Sequence, residues 1–266
     1  MREFQFHRPS TVAEALHLLR QAPSGKLLGG GQSLLPILKL DMAEPSDLVS
    51  LANVRELHGI HSDGNQLLIG AFATHSEVAA SAEVRSKLPS LARLADGIGD
   101  PQVRNRGTLG GSLAHADPAA DYPAAVLALA ATIKTDRRTL SADQFFTGLF
   151  ETALDPDEII TAVGFAIPQR AAYAKFASHA SRYAVVGVMV AQYASGVRVA
   201  VTGASPTAHR WKAAEAALSA RFAPEALAGL TVPSHELTST PEASAEYRAH
   251  LVPLMTRRAV AAALAG

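Results

Sequence analysis

The chain has 266 residues, 48% of them hydrophobic and 18% charged, with 24 basic and 24 acidic side chains and no cysteine. That length can bury one large core or two modest ones without staples. The balanced charge argues against a nucleic-acid or membrane-surface binder, and the lack of thiols excludes disulfides, cysteine zinc sites and cysteine-held iron–sulfur clusters on this chain. The N-terminal MREFQFHRPS has no apolar core of a secretory signal, and no apolar run approaches the ~20 residues of a membrane span, so a cytoplasmic protein is expected.

In chain order, Phe4 to His7 reads as a short strand and Thr11 to Gln21 as an amphipathic helix, with Val12, Ala15, Leu16 and Leu19 on one face. Lys26 to Leu28, Asp47 to Leu51 and Gln66 to Phe72 read as strands. Thr74 and Glu77 form a capping box that starts a helix at His75. Leu88 to Ala95 is helical, and the glycine-rich stretch Gly97 to Ala116 reads as a loop with a tight turn. Pro118 to Ala131 is an apolar helix with proline near its start. Thr132 to Thr135 and Thr139–Leu140 pair around a turn. After about residue 167 the pattern becomes an antiparallel meander: Ala171 to Ala177, Ala184 to Tyr193 and Val197 to Thr202, with a hairpin turn at Ser195-Gly196. Helices at His209 to Ala220, Pro224 to Leu230 and Ser244 to Leu264 follow. Strands and helices mix without steady βαβ alternation, so the fold class is α+β.

Two segments carry chemistry: Leu28-Gly29-Gly30-Gly31-Gln32-Ser33-Leu34-Leu35-Pro36, and Arg104-Asn105-Arg106-Gly107-Thr108-Leu109-Gly110-Gly111-Ser112 with its continuation to Asp121. A bound diphosphate needs backbone N–H groups at close range, which glycine permits. Ser33, Thr108 and Ser112 add hydroxyl donors. One such segment alone is more often an ordinary turn; the pair favours a diphosphate clamped from both sides. No lysine stands in phosphate-loop spacing, and Leu34 occupies the place of the third Rossmann glycine, so neither of those nucleotide folds applies.

Other candidates are weaker. Asp117 and Asp121 either cap the helix that follows or accept a hydrogen bond from a ribose or ring N–H, and chemistry alone leaves both readings open. His58 and His61 lie in a polar loop without a third ligand, which argues against a metal site. No nucleophile elbow or thiol is present, so no side chain is assigned a catalytic role. Arg104 and Arg106 read first as solvated or partner-facing residues.

Gly30-Gly31-Gln32-Ser33-Leu34-Leu35-Pro36, and Gln102 through Ser112 followed by Ala114-His115-Ala116-Asp117-Pro118-Ala119-Ala120-Asp121, resemble the two flavin loops of the FAD-binding medium subunits of the carbon monoxide dehydrogenase and xanthine dehydrogenase family. The likeness extends over nearly the whole chain, with Gly203 to Pro206, Glu246-Tyr247-Arg248 and Arg257-Arg258-Ala259 resembling the family's C-terminal part. It implies a two-part FAD domain of the vanillyl-alcohol-oxidase-like (PCMH) type over 1–168, with subdomains about 1–55 and 56–168, then a smaller α+β domain over 169–266. It also implies a cofactor-binding set: Leu27, Leu28, Gly29, Gly30, Gly31, Gln32, Ser33, Leu34, Ile98, Thr108, Gly110, Gly111, Ser112, Asp117, Asp121, Ile160, Lys175 and Tyr183.

By the same resemblance, this subunit would carry FAD, a large partner would hold molybdopterin, and a small partner would hold two [2Fe-2S] clusters, in a dimer of heterotrimers. Electrons would pass from the clusters through FAD to an external acceptor. A self-contained flavin oxidoreductase would need its own substrate pocket and acid or base, for which residues 169–266 offer no candidate. The sequence departs from the family at His179, where many relatives have arginine, at Arg182, where an acid is common, and in Glu158 to Pro168, longer by about two residues. These changes leave the glycine loops intact and fall on the flavin-ring side.

Overall fold

Three main sheets organise the chain in the computed structural model, which describes residues 2–266. The first is built from β1 (Gln5–His7), α1 (Val12–Gln21), β2 (Gly25–Leu28), α2 (Leu34–Lys39) and β3 (Asp47–Ser50). Its strands run parallel in the order β1-β3-β2. Thr11 starts α1 by accepting the Glu14 N–H, and α1 buries Ala15, Leu16 and Leu19. Two of these join Val49, Val54, Leu57 and Ile159 in a small core. Helix α2 has no counterpart among the expected elements, because Pro36 reads as a breaker. It stands in the first turn, where its missing N–H would be an orphan anyway.

The second sheet is antiparallel, with strands β4 (Ile60–Asp63), β5 (Gln66–Gly70), β6 (Thr132–Thr135), β7 (Thr139–Ser141) and β10 (Ile160–Ala166) in the order β4-β5-β10-β6-β7. Between β5 and β6 run six helices: α3 (His75–Ala80), α4 (Ala82–Lys87), α5 (Pro89–Asp96), α6 (Pro101–Arg104), α7 (Leu109–His115) and α8 (Tyr122–Ala128). Between β7 and β10 lie α9 (Ala142–Phe145) and a small hairpin of β8 (Phe146–Gly148) with β9 (Glu151–Thr152). The capping box at Thr74 and Glu77 is formed as expected, with both reciprocal bonds present. The stretch 97–116 is not a loop: Asp100 caps α6, and Thr108 caps α7. Two glycines in the first turn of α7 disfavour a helix by roughly 1 kcal/mol each, which hides it in the sequence. Helix α8 starts at Tyr122, later than expected, because Pro118 to Asp121 form a turn closed by the Ala119 N–H on the Asp117 carboxylate, 2.8 Å.

The third sheet, β11 (Arg170–Ala177), β12 (Ala184–Tyr193), β13 (Gly196–Thr202) and β14 (His209–Arg210), is antiparallel in chain order. Tyr193 pairs with Gly196, so the hairpin turn is Ala194-Ser195, one residue before its expected place. Helices α10 (Lys212–Ala220) and α11 (Ala245–Ala265) follow, while Pro224–Leu227 is a 3-10 turn in place of the expected helix. In β12, Val186, Val188 and Val190 face the core shared with Leu251, Met255 and Val260 of α11. The alternate residues Met189 and Ala191 join Val126 and Leu127 of α8 in the largest core. Both faces are covered, which is why this strand reads as an unbroken apolar run. Removing one of the larger side chains there would cost about 2–5 kcal/mol.

Candidate cofactor site

Both glycine segments line one cavity of about 430 Å³. Leu27 and Gly29 to Leu34 form one side; Gly107, Thr108 and Gly110 to Ser112 form the facing side. Apolar walls come from Leu57, Phe72, Ile98, Leu154, Ile159 and Ile160, and the far rim from Asp117, Asp121, Ser181, Arg182 and Tyr183. Apolar walls around a few polar groups are the usual make-up of a small-molecule site.

The two segments touch each other, and glycine is what lets them. A β-carbon on Gly30 would overlap the Arg106 carbonyl, and one on Gly29 would stand 3.0 Å from the Thr108 hydroxyl. Gly31 has a φ of 76°, which turns the chain from β2 into α2 at little cost to a residue without a side chain. Gly110 meets the end of β5: a β-carbon there would lie 2.7 Å from the Ala71 β-carbon and 2.8 Å from its carbonyl oxygen.

Their amides differ. Among the described residues, no acceptor within the chain meets the N–H groups of Gly30, Gly31, Gln32 or Ser33. In the second segment, Leu109 N–H donates to Ala73 O (3.0 Å), Gly110 N–H to Ala71 O (2.8 Å) and Ser112 N–H to Thr108 O (3.0 Å). Gly111 N–H meets the Thr108 hydroxyl at 3.2 Å. The first segment therefore offers a run of unsatisfied donors to the cavity, while the second uses two of its donors to seat α7 against the chain just past β5 and two within its own cap.

The rim is tied to the third sheet. Lys175 on β11 reaches Asp121 (3.0 Å), the Gly97 carbonyl (2.9 Å) and the Arg182 carbonyl (3.1 Å). The Asp121 carboxylate also accepts the Tyr173 hydroxyl at 2.5 Å. Burial pushes the Asp121 carboxyl above its ordinary value, against the pull of the Lys175 ammonium and the Tyr173 hydroxyl. Tyr183, beyond the turn whose Arg182 has a φ of 64°, stands on the cavity rim with Ser33 of the first glycine segment on the same lining. Burial pushes its phenol up, with Asp117 and Asp121 adding to that effect. Arg104 donates to the Ile98 carbonyl at 3.0 Å and so props the turn beside the cavity mouth.

The wall from Leu154 to Ile160 is pinned from outside. Arg138 grips Glu158 through two hydrogen bonds of 2.6 and 2.9 Å, and the Asp155 N–H adds a third at 2.9 Å. The guanidinium beside it brings the Glu158 carboxyl down to about 2.

Of the expected site residues, sixteen line this cavity; Leu28 and Lys175 do not. Leu28 follows Leu27 in β2, and side chains alternate across a strand, so only one of the two can face inward. The Lys175 ammonium is engaged behind the wall by three oxygens. Sequence reasoning missed Ile37, Phe72, His75, Val103, Leu154 and Glu158, which reach the cavity through packing that no local motif announces. For His75 the capping box beside it marked the helix start but not the direction of the ring.

Residues 2–169 match the family of the FAD binding domain in molybdopterin dehydrogenase. The chain belongs to that family. The α+β fold agrees: the chain superposes on carbon monoxide dehydrogenase from Hydrogenophaga pseudoflava, in a form lacking the Mo-pyranopterin moiety, with a TM-score of 0.91 and 36% identity, covering 99% of this chain and 98% of that one. It is 36% identical over 283 residues to the carbon monoxide dehydrogenase medium chain of that organism, covering 98% of this chain and 97% of the relative. It is also 36% identical over 272 residues to the nicotine 6-hydroxylase medium subunit of Paenarthrobacter nicotinovorans, covering 96% and 95%. This molybdopterin dehydrogenase relative is thus an oxidoreductase subunit of the medium, FAD-binding kind. Among the described residues no helix is long and apolar enough to cross a membrane.

The cavity fits FAD on its own evidence. A dinucleotide needs donors for its phosphates and apolar faces for its rings, and the unsatisfied amides of Gly30 to Ser33 stand beside the walls of Leu57, Phe72 and Ile159.

Proposed function

We propose that this chain holds one FAD between its two glycine segments and passes electrons from the [2Fe-2S] clusters of a small partner subunit to an external acceptor. A large molybdopterin partner would carry the substrate chemistry, in a dimer of heterotrimers within the cytoplasm. The observation that carries this reading is the meeting of two distant glycine segments on one cavity, with four free amides on one side. The absence of cysteine supports it too, since clusters must then lie on another chain.

When bound, FAD supplies the redox chemistry, and the protein supplies binding, orientation and electrostatics. Gly29 to Leu34 receive the diphosphate through their amides and the Ser33 hydroxyl. Thr108, Gly110, Gly111 and Ser112 form the opposing wall, with Ser112 able to donate. Leu27, Ile98 and Ile160 supply apolar contact, and Asp117, Asp121 and Tyr183 form the polar rim. Lys175 positions Asp121 and the turn that carries Tyr183. We assign residues 1–168 to the FAD domain, with subdomains about 1–55 and 56–168, and residues 169–266 to the C-terminal domain.

The test is flavin content and its reduction. The purified chain should release one FAD per chain, and substrate should reduce that flavin only when the partner subunits are present. A preparation that stays colourless after incubation with FAD would contradict the binding step. Turnover by the isolated chain would point to a self-contained oxidoreductase.

A further inference from the structure

Four buried side-chain polar atoms lack a hydrogen-bond partner among the described residues: His75 Nδ1, the Tyr122 and Thr238 hydroxyls, and Arg248 Nε. Only His75 of these lines the cofactor cavity. The residue is 5% exposed, and its ring rests on Tyr122 at 5.3 Å between centroids. Its N–H on the main chain donates to the Gly107 carbonyl at 2.9 Å, so the second glycine segment fixes where the ring stands.

The two ring nitrogens differ. Nδ1 is sealed and unpartnered, whereas Nε2 is not sealed and has no hydrogen-bond partner among the described residues. Nε2 lies against Gly107, where a β-carbon would come within 2.5 Å of it. Glycine at 107 therefore leaves room for this nitrogen at the cavity wall. A proton on Nδ1 would bury an N–H with no acceptor, a rarer defect than an under-satisfied acceptor. The favoured neutral tautomer carries its proton on Nε2 and presents a donor. Burial, with the nearby Arg104 charge, brings the imidazole down to about 4, so the ring is neutral at pH 7.

Resting on the FAD reading above, we propose that His75 is a further cofactor-binding residue, whose Nε2–H donates one hydrogen bond to an oxygen acceptor of the bound dinucleotide. His75 thus adds a neutral ring donor to the wall, beside the glycine segment whose amides at 109–112 are already engaged.

The test uses the full chain stripped of flavin and titrated with FAD, with binding read from flavin fluorescence. His75→Phe keeps a ring against Tyr122 but removes the donor, and should raise the Kd about three- to tenfold, the worth of one net hydrogen bond. His75→Gln, which returns an N–H donor, should recover most of that loss. Tyr122→Phe removes an unpartnered hydroxyl away from the cavity and should leave the Kd unchanged. In the wild-type chain, the His75 Nε2 nitrogen-15 resonance should move on FAD addition, a readout independent of any variant's folding. A still resonance overturns the proposal. So does a folded His75→Phe chain with wild-type Kd, or a His75→Gln chain that loses as much as His75→Phe. A wild-type chain that takes up no FAD sinks the underlying reading as well, and is told apart by the absence of any titration.

Discussion

Gly29 to Ser33 and Gly107 to Ser112 are both glycine-rich, both carry hydroxyls and both face one cavity, yet their backbones are used in opposite ways. In the first, the amides of Gly30 to Ser33 have no acceptor among the described residues. In the second, Leu109, Gly110, Gly111 and Ser112 all donate internally, two of them to the carbonyls of Ala71 and Ala73 just past β5. Glycine likewise serves two ends. At Gly30 it lets one segment lie on the other; at Gly110 it lets a helix lie on a strand end. One segment is a receptor and the other is the masonry that holds its opposite wall. A glycine-rich match by itself does not say which.

That contrast can be broken by substitution. The largest effect is expected at Gly30→Val, whose side chain would occupy the place of the Arg106 carbonyl and drive the segments apart. A loss of at least about 3 kcal/mol, with no FAD uptake, is expected from the overlap with main chain that cannot move cheaply. A variant that melts near wild type and still binds FAD would refute the contact. Gly110→Ala comes next. Alanine gains up to roughly 1 kcal/mol of helix propensity, but its β-carbon meets Ala71, and overpacking costs about 1–3 kcal/mol. Net destabilisation of about 1–2 kcal/mol should show as a lower thermal midpoint without FAD present. Equal stability with weaker FAD binding would mean the second segment is a receptor after all. The smallest stability effect belongs to Ser33→Ala. Its side chain makes no helix-cap bond, so the flavin-free chain should change by less than about 0.5 kcal/mol, while FAD binding weakens about three- to tenfold. A drop in stability without a change in binding would reverse the assignment.

Much of this was legible in the sequence for reasons of local physics. The capping box at Thr74, the amphipathic α1 and the β12–β13 hairpin depend on neighbours in sequence, and each formed. The meeting of the glycine segments was legible because two sets of hydroxyl-flanked glycines are a costly composition without a ligand or a close approach to explain them. What escaped was decided by distant partners. Helix α7 has a local cap in Thr108, but its two glycines mask it, and its first amides are accepted by the distant carbonyls of Ala71 and Ala73, which local propensity does not record. Lys175 was expected at the cofactor, but it is not among the residues that line the cavity, because Asp121 and two carbonyls converge on its ammonium. His75 carried no signal, since its position at the cavity follows from packing against Tyr122 and Gly107.

Amide hydrogen exchange with and without FAD tests the division of labour most directly. The amides of Gly30, Gly31, Gln32 and Ser33 should exchange rapidly in the flavin-free chain and become protected when FAD binds. Those of Leu109, Gly110 and Ser112 should be protected in both states, because their acceptors belong to the fold. New protection confined to residues 109–112, with 30–33 unchanged, would contradict the account.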